Sequence, residues 1–136
     1  MRIGPDHQPQ AALRILARRL RENRIVSITA GAGGSRVVDV PFLAGQMSLA
    51  SGAPALAAQA GATLLPVMSL REPDGGFVSI IGAPLPVPGR SRGEAHLAAA
   101  HGFAAVTAEA AQAHPAQFWW HADALHRWAH GLTGGP

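Results

Sequence analysis

The chain contains no cysteine, no lysine and no tyrosine in 136 residues, and aromatics make up only 5% of it. Without cysteine there is neither a disulfide framework nor a thiolate metal site. Without lysine there is no phosphate-loop lysine. All eleven basic residues are arginine, and set against eight carboxylates they leave a formal charge of +3. That is low for a chain that tracks nucleic-acid phosphates, and basic and aromatic residues do not interleave, so nucleic acid is not an expected partner. The uniform use of arginine reads mainly as composition bias. A cluster at Arg14, Arg18, Arg19, Arg21 and Arg24 leaves open an anionic partner, because guanidinium binds phosphate bidentately. The hydrophobic fraction is 48%, much of it alanine, which predicts a thin core of Leu, Ile and Val with a few large rings. The length suits one domain or part of one, with somewhat over ~60% of its unfolded surface buried.

Long apolar runs are also missing. The first residues, Met1 to Asp6, have no signal-peptide apolar region. From Val40 to Leu70 no residue is charged, but Pro41, Gly45, Gly52, Pro54, Gly61 and Pro66 interrupt the stretch. A membrane-spanning helix needs about 20 mostly apolar residues in a row. The stretch therefore reads as protein interior or interface.

What is present is a regular alternation of elements. Leu13, Leu16, Ala17 and Leu20 recur with helical spacing, predicting a helix over 8–21 with Asn23 as its stop. Ile25 to Ala30 is short and β-branched and reads as a buried strand. Gly31 to Gly34 is a loop whose glycines can take positive φ. Val37 to Phe42 is a second strand, with Val38, Val40 and Phe42 on one face and Val37 and Asp39 on the other. Leu43 to Ser51 reads as irregular. Ser51 then caps an alanine-rich helix that Gly61 ends. Thr63–Leu70 and Phe77–Ala83 are strands joined by the turn Pro73-Asp74-Gly75-Gly76, hence a hairpin. Pro84 to Arg92 is a loop. Glu94 to His114 is a helix weakened by Gly102, and Pro115 opens a final helix to His130.

Few residues offer chemistry. A strand followed by Gly31-Ala32-Gly33-Gly34-Ser35-Arg36 can present backbone N–H groups and a guanidinium to an anion. The same residues also suit a plain strand-to-strand turn. They do not match the dinucleotide fingerprint, since the third glycine is misplaced and a strand follows. A nucleotide-binding α/β domain is accordingly the weakest of three functional readings. His126 and His130 share a helix face, but no third ligand is placed to complete a zinc site, so they read as a polar or interfacial face. Phe118, Trp119, Trp120 and Trp128 form an aromatic cluster suited to core packing, or to a membrane-interface or acyl-chain contact. No serine lies in a nucleophile elbow. The Asp6–His7 pair reads as a helix-capping turn.

The runs Val38-Asp39-Val40-Pro41-Phe42-Leu43-Ala44-Gly45, Ser51-Gly52-Ala53-Pro54-Ala55-Leu56-Ala57 and Gly61-Ala62-Thr63-Leu64-Leu65-Pro66-Val67 resemble the later half of the lipid A biosynthesis acyltransferases. These form the lauroyl/myristoyl branch of the glycerolipid acyltransferase superfamily. The hairpin over Arg71 to Ile81 and the tail Gln117-Phe118-Trp119-Trp120 with His126-Arg127-Trp128 are similar as well. No single motif is diagnostic; the ordered combination, over roughly Leu13 to Trp128, carries the likeness. Two departures stand out. The family often has an acidic residue after the first strand, where this chain has Ala30-Gly31-Ala32-Gly33. The family's catalytic His, followed five positions later by Asp or Glu, has no counterpart at any of the seven histidines.

The resemblance implies an α/β fold, a partial three-layer sheet with flanking helices. Residues 1–136 would be a single domain forming the C-terminal part of a larger acyltransferase domain. It implies transfer of a fatty acyl group from a thioester, on acyl-carrier protein or acyl-CoA, to a lipid hydroxyl. A His general base assists such a step by ~10²–10⁴-fold, so no catalytic residue is expected in this chain and a companion N-terminal part would supply the pair. The alternative is a non-catalytic lipid- or partner-binding module on the same scaffold. Gly31, Gly33, Gly34, Ser35 and Arg36 are expected at a phosphate or headgroup, and Phe42, Leu43 and Gly45 along the acyl path. No cofactor and no metal are implied. The expected location is peripheral, on the cytoplasmic face of the inner membrane, or cytoplasmic. An unpaired strand edge is expected to make the isolated chain self-associate.

Overall fold

The computed structural model describes residues 9–31, 36–87, 92–118 and 130–131. Helix α1 (Pro9–Arg21) is followed by strands β1 (Val37–Phe42) and β2 (Gly45–Ala50), helix α2 (Gly52–Ala60), strands β3 (Val67–Arg71) and β4 (Phe77–Ile81), and helix α3 (Arg92–Ala113). A single 3₁₀ turn, Pro115–Gln117, comes next. The class is α/β, as expected. Its strands form two antiparallel hairpins, β1–β2 and β3–β4, each a sheet of two strands.

The helices end as their sequences direct. At the end of α1, Asn23 takes φ 58°, while Arg24 N–H donates to the Arg19 carbonyl and Asn23 N–H to that of Leu20, both at 3.0 Å. This paired closure satisfies carbonyls that would otherwise lack partners. Gly61 repeats it after α2 at φ 64°, with Ala62 N–H donating to the Ala57 carbonyl at 2.9 Å. Ala12 and Ala17 are buried on α1, which packs against α2; Leu16 and Leu20 are half-buried, and Leu13 of the predicted stripe stays 43% exposed.

The β1 faces are those the alternation predicts: Val40 and Phe42 are fully buried and Val37 and Asp39 exposed. Met47 and Leu49 of β2 share the buried face. Met68 and Leu70 of β3, Ala100, Ala104 and Ala111 of α3, and Phe118 complete the core. Alanines on α3 let its axis lie close to β1. Thr107, buried on α3, donates its hydroxyl to the Phe103 carbonyl at 2.7 Å and so needs no other partner. Strand β3 begins only at Val67 because the preceding Pro66, buried, has no N–H to donate. Pairing nevertheless continues past β4, with Gly82 N–H donating to Pro66 and Leu85 N–H to Leu64.

Four expectations change. Ile25 to Ala30 is not a buried strand: Ile25 is 98% and Ile28 46% exposed, and only Val26 is half-buried. A β-branched run becomes a strand when another strand offers it an edge, and among the described residues none does so. Leu43 to Ser51 is not irregular; most of it is β2, entered through a two-residue turn at Leu43-Ala44. Ser51 starts α2 without a side-chain cap, since its hydroxyl is directed to the Arg36 carbonyl at 3.4 Å. Pro115–Gln117, the expected opening of the last helix, is a 3₁₀ turn and Phe118 is not helical; residues 119–129 of that expected helix lie outside the described residues. The expectations on Asp6, His7, Trp119, Trp120, His121, His126 and Trp128 lie outside the described residues.

Candidate substrate-binding site

The candidate residues gather at the two ends of the β1–β2 hairpin. At one end, the loop from Gly31 to Arg36 is pinned at both of its termini. Ala50 N–H donates to the Gly31 carbonyl at 2.7 Å, and Ser51 N–H donates to the Arg36 carbonyl at 3.0 Å. Ser51 is buried, which shields this second pin from water. Two successive residues at the end of β2 therefore fix where the Gly-rich loop leaves and rejoins the scaffold. Gly33, Gly34 and Ser35 lie outside the described residues. The Arg36 side chain is exposed and forms no ion pair with the described residues. A main chain fixed at Gly31 and at Arg36, beside a guanidinium with no ion-pair partner among the described residues, suits bidentate contact with a phosphate or carboxylate.

At the other end, Phe42, Leu43 and Gly45 surround the turn. Phe42 pairs with Gly45 across the hairpin and its ring belongs to the core. Leu43 is half-buried against that core and takes φ 52°, a conformation uncommon for a bulky side chain. Six residue steps, from Arg36 along β1 to Phe42, separate the two groups by about 20 Å. Structure thus brings Gly31 and Arg36 together, brings Phe42, Leu43 and Gly45 together, and keeps the two sets a strand-length apart. Between them on the outward face, Ser48 donates its hydroxyl to the Asp39 carboxylate across the strands.

Sequence reasoning missed one contact that fixes the far hairpin. The Gln117 side-chain amide accepts from Arg71 N–H at 2.7 Å and donates to the Arg71 carbonyl at 3.0 Å. It thus treats the end of β3 as a neighbouring strand would. The Arg71 guanidinium lies 5.7 Å from the centre of the Phe77 ring, close enough for a cation–π contact. Forty-six residues separate the amide from its partner, and no local pattern signals such a pairing.

A sequence model for the family described as bacterial lipid A biosynthesis acyltransferase matches residues 5–128. The chain belongs to that family. No curated protein matches it. The match spans both ends of the β1–β2 hairpin, the β3–β4 hairpin and Gln117. Lipid A acyltransferase membership implies, in general terms, an acyl donor and a lipid acceptor. Among the described residues no helix is long and apolar enough to cross a membrane, and no group of three or more His, Asp or Glu residues is placed to hold a metal ion. His96, on α3, is buried. No described histidine has a carboxylate five positions on.

Proposed function

We propose that this chain serves acyl transfer from a thioester, on acyl-carrier protein or acyl-CoA, to a lipid hydroxyl, and that it does so as the C-terminal part of a larger acyltransferase domain. The observation that carries the reading is a family match over residues 5–128 in a chain without the His-x₄-Asp/Glu pair. A companion N-terminal part supplies that pair. Its histidine takes the proton from the acceptor hydroxyl, the oxygen attacks the thioester carbonyl, and the thiol departs. This chain's own residues bind and orient. The loop from Gly31 to Arg36, pinned on Ala50 and Ser51, faces the phosphate or headgroup through backbone N–H groups and the Arg36 guanidinium. Leu43 and Gly45, half-buried at the turn and backed by the buried Phe42 ring, form the wall at the acyl end, a strand-length away. The work takes place peripherally, on the cytoplasmic face of the inner membrane.

A second reading, a non-catalytic lipid- or partner-binding module on the same scaffold, is favoured by the same missing pair. The two separate by complementation. The purified chain is mixed with a polypeptide carrying the family's His-x₄-Asp half, and transfer of a labelled acyl group to a lipid acceptor is followed. Transfer that depends on both chains supports the first reading. Lipid binding by this chain, with no transfer in any mixture, supports the second and overturns the first.

A further inference from the structure

Strand β4, Phe77-Val78-Ser79-Ile80-Ile81, is exposed along its whole length and carries no charge. It is the outer strand of a two-stranded sheet. The register fixes which of its backbone groups face outward. Gly82 N–H bonds to the Pro66 carbonyl and Glu72 N–H to the Gly76 carbonyl, so these opposed pairs are the hydrogen-bonded ones. By the alternation of an antiparallel ladder, Val78 and Ile80 bond inward to Leu70 and Met68. Phe77, Ser79 and Ile81 therefore direct their N–H and C=O groups away from β3. On the opposite edge of the same sheet the equivalent outward groups of Arg71 are taken by Gln117. On the β4 edge no described residue takes them.

We propose that the β4 edge seats a second copy of this chain, antiparallel about a two-fold axis at Ser79. The segment is complementary to itself in that register. Ser79 faces Ser79 of the other copy as a hydrogen-bonded pair, and Phe77 faces Ile81, so every outward donor meets an outward acceptor. Val78 then sits beside Ile80 of the other copy on the face that continues from buried Met68 and Leu70. Phe77, Val78, Ile80 and Ile81 are 70%, 39%, 47% and 65% exposed, and the contact removes their apolar surface from water. The strand itself carries no charge, and the nearest cation, Arg71, lies against the Phe77 ring at one end of it, away from the axis at Ser79. A two-fold contact of one patch with itself closes at the dimer. A four-stranded sheet also suits these hairpins better than two strands alone, which are marginal in water.

A strand-edge contact is smaller than the ~800 Å² per partner of a standard interface, so the dimer should dissociate on dilution. Sedimentation of the full 136-residue chain should show a reversible monomer–dimer equilibrium. Ser79→Lys places two like charges on the axis and should leave a monomer with an unchanged circular-dichroism spectrum. Because the chain has no cysteine, Ser79→Cys supplies the sole thiol. Opposed α-carbons in such a pair lie ~5.5 Å apart, within disulfide reach. On oxidation it should form a covalent dimer at least tenfold faster than Ser48→Cys on the β1–β2 hairpin. A monomer at every concentration, a ladder of larger species, a dimer that survives Ser79→Lys, or equal cross-linking from Ser48→Cys would each overturn the proposal. So would amide protection of β4 that appears only with anionic phospholipid vesicles, which would assign the edge to a lipid surface instead.

Discussion

Replacing Gln117 by alanine should loosen the junction between the β3–β4 hairpin and the chain after α3. The amide makes two hydrogen bonds to the Arg71 main chain, at 2.7 and 3.0 Å. Each is worth about 0.5–1.5 kcal/mol net. Both are exposed, so water replaces them in part, and the lower half of the range applies. Gln117→Ala should then cost about 1–2 kcal/mol, lowering the melting temperature by roughly 3–7 °C for a chain of this size. Gln117→Glu is the sharper probe. It keeps an oxygen to accept from Arg71 N–H but sets its other oxygen against the Arg71 carbonyl. At neutral pH it should be at least as destabilising as alanine, although its shape is nearly that of glutamine. Thermal and urea unfolding followed by circular dichroism read both variants. If Gln117→Ala changes stability by less than about 0.3 kcal/mol and Gln117→Glu matches the parent, the amide does not hold the hairpin and its geometry has no energetic consequence.

Other outcomes follow from the same packing. Phe42→Ala empties the centre of the core, where the ring is 1% exposed, and should cost about 3–5 kcal/mol in urea unfolding. At Gly82 an added Cβ would lie 2.8 Å from Cγ of buried Pro66, a ring that cannot turn aside. Gly82→Ala should therefore destabilise by roughly 1–3 kcal/mol. At Gly102 the added Cβ meets Leu85 Cδ2 at 2.9 Å, the movable end of a side chain. The helix-propensity gain of Gly102→Ala, about 1 kcal/mol, should nearly cancel that displacement, and a melting shift of only a degree or two is expected. Arg36→Ala should weaken binding of a phosphorylated lipid about 10–100-fold, the loss of one charge-assisted contact, with no change in melting temperature.

Local signals read true. The β1 faces, the stops at Asn23 and Gly61 and the Pro73–Gly76 turn each follow from a few adjacent residues, and each is present. The turn closes as its sequence suggests, with Gly75 at φ 90° and Gly76 N–H donating to Asp74 Oδ1 at 2.8 Å. Long-range determinants did not show. Ile25 to Ala30 has strand composition, yet strand formation depends on a partner edge that no local pattern reports. Strand β2 carried a legible alternation in Met47 and Leu49, which Gly45 and the unusual φ at Leu43 concealed. Gly102 looked like a weak point in α3, whereas it is where Leu85 and Pro86 cross the helix closely. In the candidate site, the sequence placed Arg36 and the Gly-rich loop together. That Ala50 and Ser51 pin the loop's two ends is a tertiary fact invisible in the residues themselves.

Labelled acyl transfer from an acyl thioester to a lipid acceptor, measured with the purified chain by itself, tests the central claim most directly. The account predicts no transfer above the background without protein, because no histidine in the sequence is followed five positions later by Asp or Glu. Sustained turnover by this chain alone would contradict it.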